Sequence, residues 1–373
     1  MSRIPVVIAS LLKPVDDTRM YEKLGLSLAQ TNKYEINIIG FFIKKINFHP
    51  GVRTFPIFNM PRSGISRIFQ PLKFLILLLK VKPEVTIVSS PDLLLVTLFY
   101  SGITRTQFIY DIQENYLRNI LFNSKLPWPV KFPAALLVRM LERIVHPFVD
   151  HYLVAEEAYF NEMPYLKKKG ILLRNYYVPI YRGEIIRGNI GKRITILYTG
   201  TIAEAYGIFQ VIQFIDRFHA FYQGIELRIA GYCPHRGTLE KLQEAISGKS
   251  YIYLTGGENL LPHEEILREI READFGIVFY ELNPAIRNCF PTRIYEYMAN
   301  RLPILIQDHP RWTDLCIQHN ACLVVDFEYP EIAQLLSRMR ETKFYNHGVP
   351  ETIFWKKEEP KLLHLFEKIL PED

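Results

Sequence analysis

Cysteine is scarce in this sequence, and its few cysteines are not spaced as a disulfide framework or a zinc site would require. Cys233, Cys289, Cys316 and Cys322 contain no CxxC pair. The ten histidines form no HExxH pattern or similar ligand set. These absences argue against a disulfide-stapled scaffold and a structural zinc site, and they favour a reducing compartment.

Long apolar runs are also absent, since none reaches the roughly 18 residues that a membrane-spanning helix needs. The opening segment MSRIPVVIASLL is short and lacks a cleavage-like small-residue site, which favours a first core strand over a signal peptide. Without a membrane span, a signal peptide or a disulfide framework, we expect a cytoplasmic protein. Low-complexity tracts and short repeats are missing as well.

Charge is unevenly distributed along the 373 residues. The chain carries a net charge of +6, yet residues 1–110 alone hold 14 basic and 6 acidic residues, a local +8. Such an asymmetry suggests a lobe that faces phosphate groups on lipid headgroups, anionic substrates or nucleic acid. A solvated basic surface without a partner is the alternative.

Apolar runs and helical periodicities alternate through the chain, which predicts an α/β protein with two doubly wound lobes. The boundaries predicted are 1–180 for the first lobe, 193–350 for the second and 351–373 for a final helix. Three glycines in YRGEIIRGNIGKR, from Tyr181 to Arg193, mark the linker. KFLILLLK is apolar on nearly all sides, which favours a buried core helix, although its flanking lysines keep a membrane-binding helix open.

The stretch from Asn283 to Asp308 concentrates the features of a ligand site. A loop with two arginines, Arg287 and Arg293, runs into a short helix opened by Pro291. The apolar run ILI then reads as a buried parallel strand. In an open α/β sheet, a ligand with phosphates binds where a loop leads into a helix N-terminus, and this stretch has that order of elements.

This stretch resembles the C-terminal signature of GT-B glycosyltransferases of the family-4 type. Glu296 matches the second glutamate of that signature, which in the family holds the ribose of the nucleotide-sugar donor. Asn288 stands where the first glutamate belongs, and Arg301 replaces the family's glycine. The resemblance continues, in the family's order, over PVDDTRMYEKLGLSLAQ, KPEVTIVSSPDLLL, YDIQENY, VDHYLVAEEA and TIFWKKEEPKLLHLFEKI. The last of these is similar to the helix that in such folds crosses back onto the N-terminal lobe.

The resemblance implies a donor site in the second lobe. Gly200 ends a strand where close approach to a ligand is useful, although a turn that needs glycine for geometry alone is the alternative. Thr201 and Tyr206 stand where the family places a basic pair on the diphosphate. Arg287 and Arg293 are the predicted replacements, because an arginine fork binds phosphate in two places. The other predicted donor contacts are Gly231, Leu260, Asn288, Thr292 and Glu296. A solvated Arg293–Glu296 salt bridge is the competing interpretation for that arginine.

The acceptor is expected at the first lobe. Asp16, Asp17 and Arg19 follow the first strand, where the acidic pair would orient acceptor hydroxyls unless it caps a helix. Gln113 stands where the family often has histidine, and glutamine binds sugar without moving a proton. Glu114 is the predicted carboxylate near the reaction centre.

The expected function is transfer of a sugar from a UDP- or GDP-linked donor to a glycan or lipid-linked saccharide. By resemblance it would be retaining and would need no metal or other cofactor. Peripheral contact with an anionic membrane is expected through the basic first lobe. The alternatives are a degenerate GT-B protein that binds glycan or a partner transferase, and a nucleotide-sugar 2-epimerase. Nucleic-acid binding is not expected, because the basic residues are dispersed and no recognised module occurs.

Overall fold

The computed structural model describes residues 3–42, 48–58, 66–179 and 190–371. The chain divides into two compact units, one of Met1–Val178 with Trp355–Asp373 and the other of Pro179–Phe354. We call them unit 1 and unit 2. Residues 180–189, which contain most of the predicted linker, lie outside the described residues.

Unit 1 is built on a seven-stranded parallel sheet with the order β3-β2-β1-β4-β5-β6-β7. Its strands are β1 Ile4–Pro14, β2 Tyr34–Phe41, β3 Val52–Phe58, β4 Val85–Val88, β5 Gln107–Ile112, β6 His151–Val154 and β7 Gly170–Leu172. Its α-helices are α1 Leu26–Ala29, α2 Ser66–Val81, α3 Leu94–Thr104, α4 Tyr116–Arg118, α5 Trp128–Val145, α6 Tyr159–Glu162 and, at the end of the chain, α13 Glu359–Ile369. A π-helical segment, Thr18–Gly25, leads into α1.

Unit 2 contains a six-stranded parallel sheet with the order β10-β9-β8-β11-β12-β13. Its strands are β8 Ile194–Thr201, β9 Ile225–Tyr232, β10 Ile252–Gly257, β11 Phe275–Val278, β12 Ile304–Ile306 and β13 Cys322–Val324. Its α-helices are α7 Ile208–Phe221, α8 Arg236–Ile246, α9 His263–Glu272, α10 Thr292–Ala299, α11 Pro310–Gln318 and α12 Ile332–Glu341.

The strand order reverses once in each sheet, between β1 and β4 in unit 1 and between β8 and β11 in unit 2. In open parallel sheets a crevice forms at such a reversal, just beyond the carboxyl ends of the strands, and ligands bind there. The loops that follow β1, β4, β8 and β11 are therefore the places to look for a site.

The end of the chain completes the core of unit 1. Leu362 and Phe366 on α13 and the preceding Trp355 are buried among residues of β1, β2 and the Thr18–Ala29 segment. Trp355 Nε1 donates a hydrogen bond to Ser27 Oγ at 2.8 Å. Unit 2 has a separate core around β8, β9, α7 and β11.

The predicted alternation of strands and helices is confirmed, and both sheets are parallel and doubly wound. One helix differs from the favoured expectation of a buried core helix. KFLILLLK, residues 73–80 of α2, buries Phe74, Leu77 and Leu78 but exposes Ile76 and Leu79. None of the described helices is long and apolar enough to cross a bilayer.

Candidate functional site

Three neighbouring strands of unit 2 end in glycines that lie side by side. Gly200 on β8 pairs with Gly231 on β9, which pairs with Gly256 on β10. A Cβ on Gly231 would come within 1.8 Å of the Gly200 carbonyl oxygen, and one on Gly256 within 2.3 Å of the Gly231 carbonyl oxygen. Gly200 and Gly256 also have φ values of +94° and +93°. Side chains are therefore excluded from this edge, and a ligand can approach the backbone.

Gly200 and Gly231 are among the predicted donor residues, whereas Gly256 was missed. The signal for it exists in the sequence, because ITILYTG, IELRIAG and YIYLTG all end an apolar strand with glycine. We call the three residues the glycine edge. Their close packing and the positive φ of Gly200 support the interpretation that the turn needs glycine for its geometry. The same geometry also allows a ligand to approach the backbone.

A tight turn connects β8 to α7 beside the glycine edge. Thr201 is exposed, and a single helical turn, Glu204–Tyr206, ends at Gly207 with φ of +70°. The hydroxyl of Tyr198 lies 3.2 Å from the carbonyl oxygens of both Thr201 and Tyr206, and so holds the turn against β8. The Tyr206 ring contacts the Tyr280 ring edge-on.

Arg293 reaches this turn from the first helical turn of α10. Its side chain is buried, at 5% relative exposure, between the rings of Tyr198 and Tyr280, with its Cζ 4.4 Å and 5.1 Å from their centroids. Its Nη2 would lie 3.5 Å from a Cβ placed on Gly200. Its Nη1 is buried and makes no hydrogen bond within the described part of the chain. The guanidinium therefore sits at the glycine edge with a donor still unused.

Tyr297 fixes α10 against β8. Its hydroxyl accepts a hydrogen bond from Thr199 N at 3.1 Å and donates to Leu197 O at 3.2 Å. Burial, the largest cause, raises the pKa of Tyr297 to about 12, so the hydroxyl stays neutral near pH 7. Its ring occupies the space that a side chain at Gly276 would need.

The Arg293–Glu296 salt bridge, the competing interpretation for that arginine, does not form in the structure. Arg293 is buried against tyrosine rings, whereas Glu296 Oε1 lies 3.5 Å from Nε2 of His263, the first residue of α9. That contact places Glu296 beside the β10–α9 loop, which also carries the half-buried Leu260. His263 and the two tyrosines that flank Arg293, Tyr198 and Tyr280, were not predicted as site residues.

Arg287 has a different environment from Arg293. Its side chain is exposed, and its backbone carbonyl accepts a hydrogen bond from His309 Nε2 at 3.1 Å. The carbonyl of Asn288 accepts from Arg311 Nη1, so the loop is held to α11 through its backbone. Thr292, the first residue of α10, is exposed. Of the two predicted arginines, only Arg293 has a guanidinium at the Gly200 turn.

Arg19 in unit 1, predicted on the acceptor side, forms a buried ion pair with Asp111. Its side chain is 1% exposed, its Nε and Nη2 donate to the Asp111 carboxylate at 2.6–3.0 Å, and its Nη1 donates to Leu173 O. Gln113 Nε2 donates to the same carboxylate at 2.8 Å. Arg19 and Gln113 thus converge on Asp111, which was not predicted as a site residue.

The two predicted aspartates after β1 have separate roles. Asp17 Oδ1 accepts from the backbone N–H of Arg19 and Met20 at 3.0 and 3.1 Å, which is helix capping, the alternative considered for this pair. Asp16 Oδ1 is buried without a hydrogen-bond partner in the described part of the chain. Burial, the largest cause, raises the pKa of Asp16. Asp16 therefore stays a predicted acceptor-side residue.

Glu114, predicted near the reaction centre, is half-buried after β5. Its Oε2 accepts a hydrogen bond from Asn119 Nδ2 at 2.6 Å. Among the described residues, no group of three or more His, Cys, Asp or Glu side chains is arranged to hold a metal ion. Metal independence stays a prediction.

Comparisons with known proteins identify the fold. No family model matches the sequence, and no curated protein matches it. Among solved structures, sucrose-phosphate synthase from Thermosynechococcus elongatus superposes with a TM-score of 0.70 at 14% identity, over 98% of this chain and 99% of that one. The Anabaena protein HepE in complex with UDP and glucose gives 0.63 at 10% identity, over 98% and 100%.

A third structure, a putative UDP-N-acetylglucosamine 2-epimerase from Listeria monocytogenes, gives a TM-score of 0.59 at 12% identity, over 100% of this chain and 98% of that one. Likeness at such identities shows the fold alone. With its two parallel sheets, the chain has the Rossmann-like, two-unit fold of GT-B glycosyltransferases.

Proposed function

We propose that this protein is a glycosyltransferase that binds a nucleotide-sugar donor in unit 2, with the diphosphate between Arg293 and the glycine edge. The observation that carries the proposal is the buried guanidinium of Arg293, whose Nη1 makes no hydrogen bond within the described residues. Taking a charge out of water is costly unless an opposite charge is nearby. A diphosphate at the adjacent glycine edge would supply that charge.

The chemistry of sugar transfer explains why a cation is needed at this place. The diphosphate gains negative charge as the bond to the sugar breaks, and a donor fixed beforehand stabilises that charge most effectively. Arg293 is fixed by the rings of Tyr198 and Tyr280. Arg293 would supply the positive charge that the family's basic pair places on the diphosphate, because Thr201 and Tyr206 at those positions are uncharged.

Glu296 would bind the ribose of the donor, as the resemblance implies. Its carboxylate lies on α10 one turn after Arg293 and contacts His263 on the neighbouring helix. This spacing suits a nucleotide whose diphosphate is at the glycine edge and whose base lies toward the Leu260 loop. The proposed reaction is retaining and metal-independent, the donor is UDP- or GDP-linked, and the acceptor is a glycan or lipid-linked saccharide.

Calorimetric titration with UDP, GDP, uridine and guanosine, all in EDTA, tests the donor site. Arg293→Gln should weaken binding of the preferred diphosphate by about ten- to a hundredfold, because a charged hydrogen bond contributes roughly 1.5 to 3 kcal/mol. Binding of the matching nucleoside should change little. Glu296→Ala should weaken nucleoside and diphosphate alike.

Arg287→Ala is the matched control, since Arg287 is an exposed arginine on the same loop–helix segment. A loss there equal to that of Arg293→Gln would move the phosphate contact to the loop. Unchanged diphosphate binding in both variants, or none by the wild type, would contradict the donor site. Release of nucleoside diphosphate from the sugar donor then separates a transferase from a protein that only binds, and conversion of the sugar at C2 would identify an epimerase.

A further inference from the structure

Three helices cover one face of the unit 1 sheet. α2, α3 and α5 follow β3, β4 and β5, and each connection runs toward β6 in the strand order. Because crossovers between parallel strands are right-handed, these helices lie on the same face. α2 packs beside α3, and α3 beside α5. We call this surface the α2–α3–α5 layer.

The outer side of this layer is apolar as well as the inner side. On its inner side Phe74, Leu78, Leu94 and Ala135 are buried. On the opposite side each helix exposes a stripe of large apolar side chains at helical spacing. The stripes are Phe69, Leu72, Ile76 and Leu79 on α2, Leu95, Phe99 and Ile103 on α3, and Trp128, Phe132, Leu136, Met140 and Ile144 on α5.

This apolar surface is concentrated in one part of the chain. Of the 23 large apolar side chains that are exposed among the described residues, 17 lie between Phe69 and Phe148. A helix on the surface of a globular protein normally has one apolar stripe, directed at the core. A second, outward stripe on three adjacent helices marks an interaction surface.

The layer carries mostly basic side chains, which favours an anionic partner. Residues 66–82, 94–105 and 116–148 contain ten Lys and Arg residues but only one acidic residue, Glu142. Glu142 is 3% exposed and pairs with Arg139, so it adds no negative charge to the surface. Lys73, Lys80, Lys125 and Arg143 are exposed among the apolar stripes.

We propose that the α2–α3–α5 layer docks onto an anionic lipid bilayer, inserting its apolar stripes between headgroups that its basic side chains attract. Apolar and basic side chains on one surface are the signature of interfacial membrane binding. A second copy of the chain fits less well, because a two-fold contact would bring two strongly basic surfaces together. The proposal goes beyond the donor site of unit 2 and is tested without any activity.

Tryptophan fluorescence gives a direct test with the full chain. The protein has three tryptophans, of which Trp312 and Trp355 are 0% and 4% exposed, whereas Trp128 on the layer is 72% exposed. Vesicles of phosphatidylcholine with phosphatidylglycerol should shift the emission to shorter wavelength, and lipids brominated on the acyl chains should quench it. Trp128→Phe should abolish both signals while the protein still sediments with the vesicles.

The variant Ile103→Ser with Leu137→Ser removes two of the most exposed apolar side chains from the layer. It should lower the vesicle-bound fraction by about tenfold or more at unchanged thermal stability, since interfacial binding scales with the apolar area inserted. Ile317→Ser with Tyr329→Ser, at exposed positions of unit 2, should leave binding unchanged. Binding should weaken as salt is raised, because salt screens exposed charges.

Absence of sedimentation with anionic vesicles at low salt would overturn the proposal, as would equal binding to vesicles of phosphatidylcholine alone. An equal loss in the two double variants would also overturn it, because the layer would then have no special part. A dimer in light scattering that Ile103→Ser with Leu137→Ser dissociates, without any vesicle binding, would assign the layer to a second copy instead.

Discussion

Arg19 and Arg293 are both almost fully buried, but their neighbours differ. Arg19 is surrounded by acceptors, namely the Asp111 carboxylate and the Leu173 carbonyl. Arg293 has the faces of two tyrosine rings, which attract a cation but leave its Nη1 without an acceptor in the described residues. The partners of Arg19 are therefore complete within unit 1, whereas the unused donor of Arg293 supports the ligand proposed for it.

Asp16 gives a prediction that separates stability from function. Its folded-state pKa is raised by burial, so its protonated form is favoured and the stability it contributes is lost as the pH rises through that pKa. Asp16→Asn should therefore raise the thermal midpoint near pH 7, and the gain should shrink as the pH is lowered toward 3.8, the ordinary value. If Asp16 also orients an acceptor, the more stable variant should lose transfer activity.

Asp17→Asn is the matched control for this prediction. Asparagine caps a helix about as well as aspartate, so the midpoint near pH 7 should change little. A lower midpoint for Asp16→Asn near neutral pH would mean that its carboxylate is stabilised in the folded protein, against the direction of the raised pKa.

Most strands could be predicted from the sequence, because a parallel strand covered on both faces is a run of apolar residues. YEINIIGF predicts β2 at the residues that form it, and ITILYTG predicts β8. β3 was missed since Val52–Phe58 is an edge strand in which only the two end residues are buried, and it contains Pro56, which argues against a strand. β13 was missed because three residues are too few to form a pattern.

The environment of Arg293 could not be predicted, because the side chains that surround it come from distant parts of the sequence. An arginine in the first turn of a short helix has the same local pattern whether it faces water or the core. Tyr198 lies on β8, about a hundred positions earlier, and Tyr280 follows β11. Only the strand order brings the two rings together on one guanidinium.

The close packing of the glycine edge depends on three strands together, and a substitution at Gly231 tests it. A Cβ on Gly231 would meet the backbone of Gly200, which the parallel register holds in place. Gly231→Ala should therefore lower stability by about 1 to 3 kcal/mol, the usual cost of overpacking. It should also weaken nucleoside diphosphate binding, because the strand ends must separate at the proposed phosphate position.

Gly237→Ala serves as the control, measured by thermal unfolding and by calorimetry. Gly237 lies in α8, and a Cβ there meets nothing within 4 Å. Alanine in a helix should raise stability by about 0.5 to 1 kcal/mol and leave binding unchanged. Equal effects of the two substitutions would show that the glycine edge is not specially packed.

At the scale of the whole molecule, each unit has its own core, and the chain end belongs to the first. Trp355 and α13 are buried with β1 and β2, although they follow unit 2 in the sequence. Residues distant in sequence therefore share one cooperative core, while the residues between them form another. A substitution that destabilises one core should therefore lower protection from hydrogen exchange first in the unit that contains it.

Trp355→Ala tests this organisation. Loss of a buried tryptophan and its hydrogen bond to Ser27 should cost about 3 to 5 kcal/mol. Hydrogen exchange followed by mass spectrometry should show faster exchange in β1 and β2 but unchanged protection in β8 and β9. Trp312→Ala, at a fully buried tryptophan of unit 2, should give the reverse pattern, with diphosphate binding lost only in that variant. If either substitution loosened both sheets equally, the two units would have to be treated as one cooperative core, since local opening would then propagate through the whole chain.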